Sequence, residues 1–85
     1  MRTIDERALL IAVGKRVVEL RKNRGLTQIQ LSYDLDIEDS ALRRIEKGRT
    51  NITMLTLKKL VETLKVSYED FFSRVIVEKN NNLGA

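Results

Sequence analysis

The chain has 85 residues, 42% of them apolar, with no proline and a formal charge of +4 from 16 Lys and Arg against 12 Asp and Glu. Its length suits one compact domain with a single core. The lack of cysteine excludes disulfides, Cys-based zinc sites and thiol nucleophiles. Histidine is also missing, which removes the commonest general base and the commonest metal ligand. The basic excess, with a sequence pI near 9.7, suits a domain that binds a polyanion. No apolar run approaches the roughly 18 residues needed to span a bilayer. Ala8 to Val13 is apolar, but Asp5 and Glu6 precede it and no small-residue cleavage site follows, so it does not read as a signal peptide. A soluble, cytoplasmic protein with no membrane segment is expected.

From Thr3 to about Asn23, Leu10, Val13, Val17 and Leu20 recur with the spacing of one helical face and predict a first helix. Thr3 with Glu6 fits a capping box at its start. Gly14 lies inside this pattern, at a cost of about 1 kcal/mol relative to alanine, which predicts close approach by another backbone. A second stripe, Ile4, Ile11 and Val18, lies roughly 100° around the helix. It reads as a wider core face, with a partner surface as the alternative.

Asn23-Arg24-Gly25 ends that helix, because glycine readily takes the left-handed conformation of a C-cap. Thr27 opens the second helix, with Gln30 completing a capping box, and Ile29, Leu31 and Leu35 are its apolar positions. A turn at Asp36-Ile37-Glu38 leads to a third helix from about Asp39 to Lys47, with Ala41, Leu42 and Ile45 inward and Gly48 as its stop. After the loop Arg49-Thr50-Asn51-Ile52, Thr53 caps a fourth helix whose inward residues are Leu57, Leu60, Val61 and Leu64. Lys65-Val66 is a joint. Ser67 with Asp70 makes a capping box for a brief fifth helix carrying Phe71 and Phe72 to the core or to a partner. Arg74 to Glu78, RVIVE, is either a short strand or a last turn, and Lys79 to Ala85 is expected to be disordered. The expected organisation is one domain over 1–78 and a tail over 79–85, with no internal repeat.

Five short helices, the second and third separated by three residues, predict an all-α domain containing a helix-turn-helix. The chain also resembles the Cro/cI-type, lambda-repressor-like helix-turn-helix domains, the XRE family, from Val13 to Phe72. The resemblance rests on Leu20-Arg21, Gly25-Leu26-Thr27-Gln28, Leu31, Ile45-Glu46-Lys47-Gly48, Leu57 and Leu64-Lys65-Val66-Ser67. Asp36 and Lys65 stand where the family usually has glycine, and the family's proline after Asn51 is missing.

That resemblance implies a buried ion pair between Arg21 and Glu46, tying the first helix to the end of the recognition helix. It implies phosphate contacts from Thr27 and Gln28 at the start of the second helix, and from Lys47, Arg49 and Asn51 after the third. Base-reading positions in relatives correspond here to Glu38, Asp39, Ser40, Arg43 and Arg44. Arg44 is the best candidate, since a guanidinium can bond guanine O6 and N7 together, and Arg43 is a backbone contact or a second reader.

Asp34, Asp36, Glu38 and Asp39 place four carboxylates near a helix expected to enter a negative groove. They serve as turn and helix-cap residues, or Glu38 or Asp39 accepts from cytosine N4. Asp34-x-Asp36-x-Glu38 does not make a calcium loop, because the sixth and twelfth positions hold Asp39 and Ile45 instead of Gly and Glu. No glycine-rich phosphate loop occurs, and Ser32, Ser40 and Ser67 have no histidine to activate them. The expectation is a sequence-specific regulator that binds double-stranded DNA as a homodimer, without cofactor, metal or catalysis. Phage or mobile-element repressor, restriction-modification controller and autoregulating antitoxin with a toxin or other protein partner all fit. An interaction module that keeps the fold without binding DNA is the alternative.

Overall fold

Side-chain caps set where most of the helices begin in the computed structural model, which describes residues 5–77. The first helix, α1 (Glu6–Asn23), starts behind Asp5, whose carboxylate accepts from the Arg7 amide at 2.9 Å. Thr3, expected in that role, lies outside the described residues. With Asp5 as N-cap, Glu6 is the first helical residue and cannot be the third residue of a capping box. An aspartate there satisfies a free amide and also opposes the positive end of the helix dipole.

In α2 (Gln28–Leu35) the expected box is complete: the Gln30 amide donates to Thr27 Oγ1 at 3.1 Å, and the Thr27 amide to Gln30 Oε1 at 2.8 Å. Thr53 caps α4 (Met54–Leu64) by accepting from the Thr56 amide, and Ser67 caps α5 (Tyr68–Ser73) by accepting from the Asp70 amide. Only half of the expected box forms at α5. The Asp70 carboxylate lies 3.6 Å from Arg16 Nη2 instead.

Between α2 and α3 (Asp39–Glu46) the chain turns through Asp36, which adopts φ 60° and ψ 46° in the left-handed region. The Ile37 amide donates back to Ser32 O at 3.0 Å and closes the turn. Aspartate tolerates this conformation better than most residues, so the motif forms without glycine there. Lys65 makes the same left-handed exit from α4 at φ 58°, with the Val66 amide donating to Val61 O.

Every helix contributes to one core. Val13, Val17 and Leu20 from α1 meet Leu31 and Leu35 from α2, Leu42 and Ile45 from α3, Leu57, Leu60, Val61 and Leu64 from α4, and Phe71 from α5. Ile11 and Val18 are half-buried and widen the inward face of α1, while Ile4 lies outside the described residues. Val75 packs on the edge of the core and Ile76 is exposed; residues 75–77 do not form a strand, and Glu78 lies outside the described residues.

A feature not expected from the sequence fastens α5. Arg16 is only 4% exposed, and its guanidinium donates to Phe71 O at 2.8 Å, to Asp70 O at 2.7 Å and to Glu19 Oε1 at 2.9 Å. These bonds set a buried cation on carbonyls at the end of a six-residue helix, where Asp70 O also accepts from Ser73 Oγ at 2.8 Å.

Candidate nucleic-acid interface

The third helix can pack closely on the first because of Gly14. A Cβ at that position would lie 2.5 Å from the carbonyl oxygens of both Ile45 and Glu46, so only glycine lets the end of α3 sit against α1. Just beyond, Gly48 turns the chain at φ +70° directly against the backbone of Ile11.

The same end of α3 is locked electrostatically. Arg21 Nε donates to Glu46 Oε2 at 2.7 Å and Arg21 Nη2 to Glu46 Oε1 at 3.2 Å. Both residues are buried, and Arg21 Nη1 also donates to Leu26 O at 2.9 Å. Gln28 joins this network: its Nε2 donates to Glu46 Oε1 at 2.7 Å. Glu46 thus links α1, the start of α2 and the end of α3. From the sequence Gln28 is assigned to DNA alone, because its pairing to a residue 18 positions away leaves no local pattern.

On the outer side of α3 and its exit, Arg43, Arg44, Lys47 and Arg49 are exposed, as is Asn51, while Ser40 is half-buried. Among the described residues none of these four cations has a carboxylate within ion-pair distance; Arg16, Arg21, Lys58 and Arg74 make the ion pairs instead. Away from this surface, on α4, the hydrogen bond and charge of Glu62 hold Lys58 above the ordinary lysine value. At the start of α2, Thr27 Oγ1 accepts within the capping box and keeps its own proton for an outside acceptor. A helix leaves its first amides without intrahelical partners. The cap satisfies Gln30, which leaves those of Gln28 and Ile29.

The acidic run divides. Asp34, Asp36 and Glu38 are exposed, and Glu38, the N-cap of α3, makes no capping bond with its side chain. Asp39 is half-buried, and its Oδ1 accepts from Ser32 Oγ at 2.6 Å, a bond between side chains of α2 and α3. The helix front therefore presents fewer free carboxylates than its sequence suggests.

Among the described residues, no group of three or more acidic side chains is placed to hold a metal, and no helix is long and apolar enough to cross a membrane.

The chain is 33% identical over 63 residues to the HTH-type transcriptional regulator PuuR of Escherichia coli (strain K12), covering 74% of this chain and 34% of that protein. It therefore spans about a third of the length of this relative. To the immunity repressor protein of Bacillus phage phi105 it is 36% identical over 56 residues, covering 66% of this chain and 39% of the repressor. Its fold is similar to the restriction-modification controller protein C.Esp1396I, solved as a tetramer with its natural 35-base-pair operator. That similarity has a TM-score of 0.72 at 28% identity over 79% of this chain and 88% of the controller. A helix-turn-helix family model matches residues 17–71, from the buried Val17 of α1 to the buried Phe71 of α5. With α2, the Asp36-Ile37-Glu38 turn and α3 at its centre, the chain belongs to the XRE-type helix-turn-helix family.

Proposed function

We propose that this protein is a transcriptional regulator that binds double-stranded DNA sequence-specifically through α3, as a homodimer and without a catalytic step. The row of exposed cations on α3 and its exit, unpaired among the described residues, carries this reading. Arg43 and Arg44 stand on, and Lys47 and Arg49 just beyond, a helix whose C-terminal end is fixed to α1 by the buried Arg21–Glu46 pair. A rigidly held helix can place guanidinium groups against base edges with little further ordering.

In this reading Arg44 reads bases, with Arg43 and Ser40 beside it, and Lys47, Arg49 and Asn51 hold phosphate as the chain leaves α3. Thr27, through its hydroxyl proton, and the free amides of Gln28 and Ile29 bind a second phosphate at the start of α2. The Gln28 side chain also contributes, because Glu46 engages one proton of Nε2 and leaves the other.

Tyr68, Phe72 and Ile76, each exposed and spaced by four residues, support a homodimer through the outer face of α5 and the segment after it. The operator complex of C.Esp1396I supports both DNA binding and assembly. The phage immunity repressor and the restriction-modification controller among the similar proteins support the roles of mobile-element repressor and controller. The same reading places the protein in the cytoplasm, where DNA is.

Titrating salt during binding to random duplex DNA tests the proposal. Affinity should fall with salt at a log–log slope of about −0.9 for each phosphate neutralised. No binding at low salt would leave the interaction-module reading in its place.

A further inference from the structure

Ser32 is a buried hydroxyl on the inward side of α2, only 3% exposed, and the proposed DNA contacts make no use of it. Its Oγ lies 2.6 Å from Asp39 Oδ1 and 2.9 Å from Ile29 O. A hydroxyl carries one proton, and the shorter contact is to an ionised carboxylate, where hydrogen bonds are shortest and strongest. The proton therefore belongs mainly to the Asp39 bond.

Asp39 precedes Arg43 by four residues on α3. At that spacing aspartate and arginine ordinarily face one another and pair. Here they do not: no ion pair joins them, and Ser32 is the one hydrogen-bond partner of the Asp39 carboxylate among the described residues. In the folded protein Ser32, and not Arg43, holds this carboxylate.

We propose that Ser32 is a positioning residue for DNA recognition, which keeps Asp39 turned toward α2 and so leaves the Arg43 guanidinium free for the groove. This rests on the DNA-binding reading and adds to it a device for the acidic front of α3. A carboxylate that would otherwise neutralise a reading arginine is stored against the neighbouring helix. The helix keeps an acid near its N-terminus, where the dipole favours it, without losing a cation to it.

The test is a double-mutant cycle on a duplex enriched by the wild-type protein from a random-sequence library. Ser32→Ala releases the carboxylate to Arg43 and should weaken binding to that duplex about twofold, the most that an exposed ion pair at this helical spacing can withhold. In the Asp39→Ala background, replacing Ser32 should change binding no further, because no carboxylate remains to be withheld. A loss of equal size in both backgrounds would show that Ser32 acts through packing alone and would overturn the proposal. So would wild-type affinity in Ser32→Ala. If Ser32→Ala does not fold at the assay temperature, Ser32→Cys, a weaker donor of similar shape, takes its place in the cycle, with the same result expected and the same results overturning the proposal. Failure of the wild-type protein to enrich any sequence would defeat the DNA-binding reading itself, an outcome separate from either of these.

Discussion

Glu46 accepts three hydrogen bonds, two from Arg21 and one from Gln28, and it is 8% exposed. A carboxylate so placed depends on its cation. Removing one partner of a buried pair leaves the other charge unsatisfied, at a cost of roughly 3 to 5 kcal/mol. Arg21→Ala should therefore lower the melting temperature followed by far-ultraviolet circular dichroism, by far more than any change on the exposed face of α3. Gln28→Ala removes one bond from the same carboxylate and should cost about 1 to 3 kcal/mol. The exposed arginines behave differently, because they hold nothing inside the protein. Arg44→Ala should leave melting unchanged and relax base preference at one position of an enriched duplex. Lys47→Ala should weaken all sequences alike and make the salt slope shallower by about one contact. If Lys47→Ala altered base preference and Arg44→Ala altered only the slope, the two roles would be reversed.

The packing of one helix on another turns on single atoms. Gly14→Ala would improve local helix propensity by about 1 kcal/mol. Its methyl group, however, would meet two backbone oxygens at 2.5 Å, and backbone cannot yield as a flexible side chain can. Overpacking of this kind costs about 1 to 3 kcal/mol or more, so the variant should show a lower midpoint in urea at unchanged slope. It should also bind DNA more weakly at temperatures where it is folded, because α3 is displaced from α1. The need for glycine there was legible in the sequence, since a glycine inside an apolar helical pattern weakens its own helix and is compensated when a neighbouring backbone uses the space. The Thr27–Gln30 box was legible too, because a cap is made by residues three apart. Arg16 was not: its carbonyl partners lie 54 and 55 residues away, and a buried arginine on an amphipathic helix has the same spacing as an exposed one. The acidic run misled for the same reason, since the Ser32 bond to Asp39 exists only once α2 and α3 have packed.

Across the whole molecule, α1 carries both anchors. Arg21 fixes the end of α3, and Arg16, five residues earlier on the same helix, fixes the end of α5. The reading helix and the proposed dimer helix are thus referred to one rigid element. Two protomers joined through α5 would then hold their α3 helices at a set separation, as recognition of half-sites about 34 Å apart demands. A monomer offers one eight-residue α3 to the groove and forgoes the gain from linking two such contacts. Placing charge on the α5 face should separate these contributions. Tyr68→Glu combined with Ile76→Glu alters two exposed side chains and spares Phe72, whose ring stacks edge-on against the buried Phe71 at 5.0 Å. The double variant should keep the wild-type helical melt at concentrations where both proteins are monomeric. In sedimentation equilibrium it should require about tenfold more protein or greater to dimerise, since two carboxylates would be forced into an apolar contact. Binding to a duplex with two half-sites should fall to the level of a duplex with one. Unchanged sedimentation would move the interface away from α5, and unchanged two-site binding in a monomeric variant would mean that DNA, not the protein, brings the two copies together.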